Sequence, residues 1–255
     1  MSDGRASTDL VLLASSAITA TGAGSSVDIT TRTPATSLRP RNAVTVTVSV
    51  SAATGADRAL RVFVQHSKDG SLWVDLAAFD AISDPGIFQL TRTGVYPYVR
   101  IRYTLAGTSP SFTVEASTTA VICYASISDL YALGVRQRAL DGVDPSHAAQ
   151  VLIAASDMAD TLSANADRPL PLVSWGYDLR QAVSKLAAFD VLCARGFDVN
   201  AQDAGMWQTR YEQAIGYLKA LSTRAAFSAS TVDADDADDT IDCGVSTTSD
   251  TARGW

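Results

Sequence analysis

Val44, Val46, Val48 and Val50 alternate with Thr45, Thr47, Ser49 and Ser51, one apolar residue in every two. That period places the valines on one face of a strand and the hydroxyls on the other. The same pattern recurs in "ALRVFVQHS" and "SLWVDLAAF", joined by a Lys68-Asp69-Gly70 turn that predicts a hairpin. "GIFQLTR", "PYVRIRYTLA" and "SFTVEASTTA" continue the series, with Gly107 and Pro110 marking the last turn. "LVLLASSAITATGA" near the start has too little flanking positive charge for a signal peptide, so 10–13 is read as the first strand. Seven or eight short strands predict an antiparallel β-sandwich, immunoglobulin-like or jelly-roll, over 1–122.

Near residue 123 the period changes from two to three or four. Asp144 as N-cap and Pro145 at the first helical position open a helix. Its apolar stripe runs through Ala148, Val151, Leu152, Ala155, Met158, Ala159 and Leu162. Two prolines in "DRPLPL" end it. A second helix has Leu179, Val183, Leu186, Phe189 and Cys193 inward, with Gly196 as its stop. In a third, Trp207, Tyr211, Ala214, Leu218 and Leu221 fall on one side. With a short helix around 128–133, these predict a small α-helical bundle over 123–227. The chain is thus expected to be multidomain α and β, with a protease-accessible junction near 120–126 and an extended acidic tail over 228–255.

Charge sharpens that division. Residues 1–122 carry ten basic and nine acidic side chains, and 123–227 carry nine and eleven. In 228–255 one arginine faces seven aspartates, so nearly all of the net −7 sits at the end. Neither folded region shows an obvious basic face, which disfavours direct nucleic-acid binding. No apolar run approaches the ~18–20 residues a membrane span requires. The odd, scattered Cys123, Cys193 and Cys243 fit a reducing compartment better than a disulfide framework or zinc site.

Candidate chemistry is sparse, and packing explains most of it. His66 and His147, the two histidines, have no cysteine or carboxylate at ligand spacing and read as ordinary surface or edge residues. G-x-S-x-G, H-E-x-x-H and the P-loop are all missing. "GAGSS" at 22–26 has no following helix or lysine and reads as a strand connection. In the acidic run, the glycine position of a calcium loop that starts at Asp233 falls on Asp238, so the match fails. Neither an enzyme nor a cofactor is expected. Trp73, Tyr96, Tyr98 and Tyr103 could form a sugar-stacking platform, which keeps a carbohydrate-binding or adhesion module open as the alternative, although Trp73 reads first as a core or hairpin residue.

The segment from Tyr124 through Asp129-Leu130, the alanine-rich helix ending in 160–162, and Arg168 followed by Leu170-Pro171-Leu172 resemble the head–tail connector (adaptor) proteins of tailed phages, in the Mu-like group. The helix 180–195 and the run Arg210-Tyr211-Glu212-Gln213-Ala214-Ile215 with Leu218 continue the likeness. Arg253-Gly254-Trp255 resembles the short arginine-glycine-aromatic ending common in that family. Pro169 stands where the family usually has an aromatic residue, and the β region is an addition to its short form. The resemblance implies a structural virion protein, made in the host cytoplasm and placed at the head–tail junction. It implies a ring, usually dodecameric, beneath the portal protein and above a tail or stopper protein, with DNA passing through without specific binding and no membrane involved. Arg253, Gly254 and Trp255 are the expected partner-docking residues. Trp207, Arg210, Tyr211 and Leu218 are expected to serve oligomer formation or packing of the helical region.

Overall fold

A computed structural model describes residues 9–30, 41–164, 172, 175–195 and 204–223. The expected tail 228–255, with Arg253, Gly254 and Trp255, lies outside the described residues, as do Gly196 and residues 165–171.

The strands are β1 (Leu10–Ile18), β2 (Gly22–Ala23), β3 (Val27–Asp28), β4 (Ala43–Ser67), β5 (Val74–Ala78), β6 (Gly86–Thr93) and β7 (Tyr98–Val121). They form one seven-stranded antiparallel sheet in the order β1-β7-β4-β5, with β6 also on β4 and both β2 and β3 also on β7. Strands β4 and β7 pair from Ala43↔Val121 to Ser67↔Tyr98. β6 and β5 divide the free edge of β4 between them. Along β7, β1 takes one part while β2 and β3 take the other.

Four of the strands predicted separately are therefore two long ones. The cause lies at their middles, where the β4–β7 register shifts between Val50 and Ala59. Gly55 and Gly107 there adopt φ of +108° and +113°, and Asp57 and Ser109 each adopt +50°. Such bulges bend a ladder without ending it. A Cβ on Gly107 would lie 2.7 Å from the carbonyl oxygens of Ala56 and Asp57, so the corner needs glycine. Inner residues from both sides of the corner, Val44–Val50 on one and Leu60, Val62, Val64, Val99 and Ile101 on the other, share one apolar core.

The helices are α1 (Ile127–Asp129), α2 (Pro145–Ser163), α3 (Tyr177–Ala194) and α4 (Ala204–Ser222). Ser126 caps α1: its hydroxyl accepts from the Asp129 N–H while the Asp129 carboxylate accepts from the Ser126 N–H. A π-helical turn, Leu130–Gly134, continues it. Asp144 caps α2 as expected, accepting from the Ser146 N–H at 2.9 Å. Leu179, Val183 and Leu186 of α3 and Ala214, Leu218 and Leu221 of α4 are buried together in a second core. Cys193 is an exception to the predicted stripe, because it is exposed at the last turn of α3 while Val191 and Leu192 are buried. The 3.6-residue helix drifts past a strict three-four ladder over that length.

The junction is not the accessible linker the change of period predicts. Ile122, Cys123, Tyr124 and Ala125 are buried in the helical core. The Asn42 side chain clamps Cys123 from both sides, donating to its carbonyl and accepting from its N–H, each at 2.8 Å. Such a paired, buried backbone resists cleavage. β6 also meets the helical region, since the Ser146 hydroxyl accepts from Arg92 at 2.8 Å and the Thr93 hydroxyl from the Ile127 N–H at 3.2 Å.

Candidate functional site

Strand alternation builds the first surface. With Val62, Val64, Val99 and Ile101 turned to the core, Arg61, Phe63 and Gln65 of β4 and Arg100 and Arg102 of β7 share the opposite face. The register sets Arg102 opposite Phe63 and Arg100 opposite Gln65, with Asp75 of β5 on the other side of Gln65. The Arg102 guanidinium lies 4.1 Å from the Phe63 ring centre, Arg61 lies 5.5 Å from the same ring, and Arg100 lies 4.1 Å from Trp73. Gln65 ties the row together by donating to Asp75 at 2.6 Å and accepting from Arg100 at 2.9 Å. Asp75 also accepts from Arg102 at 3.2 Å.

The aromatic residues singled out in the sequence are thus already engaged. Trp73 is covered on a ring face by Arg100. Tyr96 stacks on His66 at 4.4 Å and has Lys68 4.9 Å from its centre. Tyr98 is half-buried opposite Ser67, and the Tyr103 hydroxyl lies against Gly22. His66 is buried rather than a surface residue, and its Nδ1 accepts from the Tyr96 N–H at 3.2 Å. That burial lowers its pKa, favouring neutral imidazole. His147 is exposed, as expected. The Lys68-Asp69-Gly70 turn forms too. Asp69 accepts from the N–H groups of Ser71 and Leu72, which hold its carboxyl well below the ordinary range.

A second surface belongs to the helical region. The π turn, the residues after it and the start of α4 enclose a cleft of about 530 Å³, lined by Tyr131, Val135, Arg136, Met206, Trp207 and Arg210 among others. Met206 is 50 % exposed. Arg210 lies 5.1 Å from the centre of the Trp207 ring. The four residues assigned to oligomer formation or packing therefore separate. Leu218 is fully buried core and Tyr211 packs on Phe189 at 4.6 Å, whereas Trp207 and Arg210 line the open cleft. The Tyr211 hydroxyl is held neutral to higher pH by burial first, then by the negative charge of Asp190 and Cys193.

A polar node sits inside the helical core. Tyr124 donates its hydroxyl to Asp160 and accepts from the Leu172 N–H at 3.0 Å. Its own N–H donates to Ser156 at 3.1 Å, and its ring meets Trp175 edge-on at 4.9 Å. Three separated features that carry the family resemblance, at 124, 160 and 172, thus converge on one side chain.

Sequence reasoning missed the arginine face because it counted net charge, which is near zero over 1–122. The usable signal was positional: "RIR" puts two arginines on one face of its strand, and "RVFVQ" puts Arg61, Phe63 and Gln65 on one face of its own. Among the described residues no group of three His, Cys, Asp or Glu could hold a metal, and no helix is long and apolar enough to cross a membrane.

No family model matches the chain, and no curated protein matches it. Partial likenesses exist among solved structures. The PBSX exported protein XepA is 18% identical, with 47% of this chain and 37% of that one covered and a TM-score of 0.30. PirA is 13% identical, with 48% and 96% covered and a TM-score of 0.25. The CBM51-2 and INT domains of Clostridium perfringens ZmpB, solved with GlcNAc, are 9% identical, with 71% and 33% covered and a TM-score of 0.21. The matched part spans little more than a third of XepA. Likenesses this low carry no argument about function. The class defined by the described residues is a mixed protein in which a large antiparallel sheet is joined to four helices.

Proposed function

We propose that this chain is a structural protein of a tailed-phage virion, a head–tail connector subunit that joins identical copies in a ring beneath the portal. The observation that carries this reading is the open cleft at Trp207 and Arg210, flanked by exposed Met206. An indole and a thioether next to two arginines make a surface that gains by being covered, and closed symmetry is the usual way identical subunits cover such surfaces. The connector resemblance supplies the kind of ring, its portal and stopper partners and the unspecific passage of DNA. In this reading 1–122, with its bent antiparallel sheet, projects as a collar, 123–227 forms the ring, and the tip of 228–255 reaches a neighbour or the portal. Arg253 and Trp255 serve there as a cationic and aromatic tip, Trp255 burying on the order of 200 Å².

Negative-stain imaging of the purified protein, alone and mixed with portal, tests the proposal. Rings or portal-bound collars are expected, and Trp207→Ala with Met206→Ser should abolish them while leaving the fold intact. A protein that stays monomeric at all concentrations and does not bind portal would overturn the reading.

A further inference from the structure

We propose that the arginine–aromatic face of β4, β5 and β7 is the docking surface for the acidic run 233–242 of the same chain, holding the tail against its own subunit. This goes beyond the connector reading and does not depend on it.

The face carries more positive charge than it neutralises. Arg102 shares the one carboxylate of the row, Asp75, while Arg61 and Arg100 have no ion pair among the described residues. Their guanidinium groups lie over the Phe63 and Trp73 rings and are not spent there. Stacking uses the flat face of a guanidinium and leaves its in-plane N–H groups to donate. Arg100 uses Nε on Gln65, and Arg102 uses one terminal nitrogen on Asp75. What remains is a fixed row of N–H forks suited to carboxylates. The Gln65–Asp75 bridge holds Arg100 and Arg102 in place over their rings, so these two have little side-chain entropy left to lose on binding.

The occupant is chosen by charge and spacing. Arg100 and Arg102 are two residues apart on one strand, a repeat of about 6.6 Å. Asp233 and Asp235, like Asp236 and Asp238, are also two apart, so an extended segment repeats its carboxylates at the same distance. The run has six aspartates and no basic residue. Nine residues, 224–232, lie between Thr223, the last described residue, and Asp233, so the ten steps span at most ~33 Å. Tethering holds the run at a high effective concentration, so a few charge-assisted bonds suffice.

A mobility probe on Cys243, next to the run, tests this in the full-length protein. Cys193→Ser confines labelling to the tail, because Cys123 is buried. At low salt a nitroxide at Cys243 is expected to tumble several-fold more slowly than in the Arg61→Gln/Arg100→Gln variant, and about 0.5 M NaCl should release it. Asp235→Asn with Asp236→Asn and Asp238→Asn, which alters no residue of the sheet, should release it equally. Tenfold dilution should change nothing. A label equally mobile in the parent and the arginine variant overturns the proposal. So does release by salt without an effect of the arginines, which would place the run elsewhere, or release on dilution, which would assign the face to a second copy. Portal plays no part in the assay, so its outcome is separate from the connector reading.

Discussion

Adjacent residues of β4 enter different cores: Ala43 packs with the helices, whereas Val44 packs within the folded sheet. The two cores are made differently. In the sheet, valine, isoleucine, leucine and phenylalanine interdigitate from both sides of the corner, and register decides which of them meet. Among the helices alanine is the recurrent buried residue, at Ala148, Ala155, Ala159, Ala182, Ala187, Ala188 and Ala214. Small side chains let helices approach closely but bury little area each, so the leucines packed among them, such as Leu152, Leu179 and Leu186, each carry more of the stabilisation. Outward the regions differ again, the sheet presenting fixed arginines and the helices an open cleft with a thioether and an indole.

The strongest way to break this contrast is to cut one large residue from each core. Leu186→Ala and Leu60→Ala each remove a fully buried side chain, at an expected cost of about 2–5 kcal/mol. The helical variant is expected to lose more, and calorimetry of both would show it. A larger loss in Leu60→Ala would remove the claim that the alanine-rich core depends more on each of its leucines.

The joint comes next in size. Asn42→Ala would leave the Cys123 N–H and C=O without their partner, at about 1–3 kcal/mol. If the regions are coupled through this clamp, the variant should unfold in two steps where the parent unfolds in one. Tyr124→Phe sharpens the point inside the helical region. It leaves the ring against Trp175 but removes the acceptor of the Leu172 N–H and the donor to Asp160, at about 1–2 kcal/mol in urea titration. An unchanged midpoint would mean that the node adds nothing to packing.

How far these features could be read from sequence depends on the range of the forces behind them. The valine alternation of β4, the Asp144 cap and the buried stripes of α2 and α4 are local, set by side chains within a turn or two. The corner at Gly55 and Gly107 was legible as glycine but not as a bend, since nothing nearby distinguishes a bulge from a chain break. Cys193 was misplaced because the helix drifts past a strict three-four ladder, which leaves Val191 and Leu192 buried and Cys193 exposed. The arginine face needs the pairing of β4 with β7 and β5, contacts more than thirty residues apart in the β4–β7 case. Trp207 could be named from spacing and Arg210 from the connector resemblance, but only packing separates them from Leu218. The Tyr124 node was visible solely as a family pattern, without its physical cause.

The smallest expected effect concerns the two histidines, one in each region. His66 is buried with its Nδ1 accepting from the Tyr96 N–H, a bond that protonation would destroy. Burial holds its pKa below the ordinary value in the folded state, whereas the unfolded chain takes up that proton near pH 6.5. On acidification the unfolded state therefore binds the proton first. The contribution of His66 is fully present above about pH 6.5 and is lost as the pH falls through the lower folded-state value. His66→Gln keeps a polar side chain but cannot titrate, so its unfolding midpoint should fall less than the parent's between pH 7 and pH 5. His147→Gln, on the exposed first turn of α2, is the matched control. Equal slopes for parent and His66→Gln would show that the imidazole is not held neutral by its place between Tyr96 and the sheet.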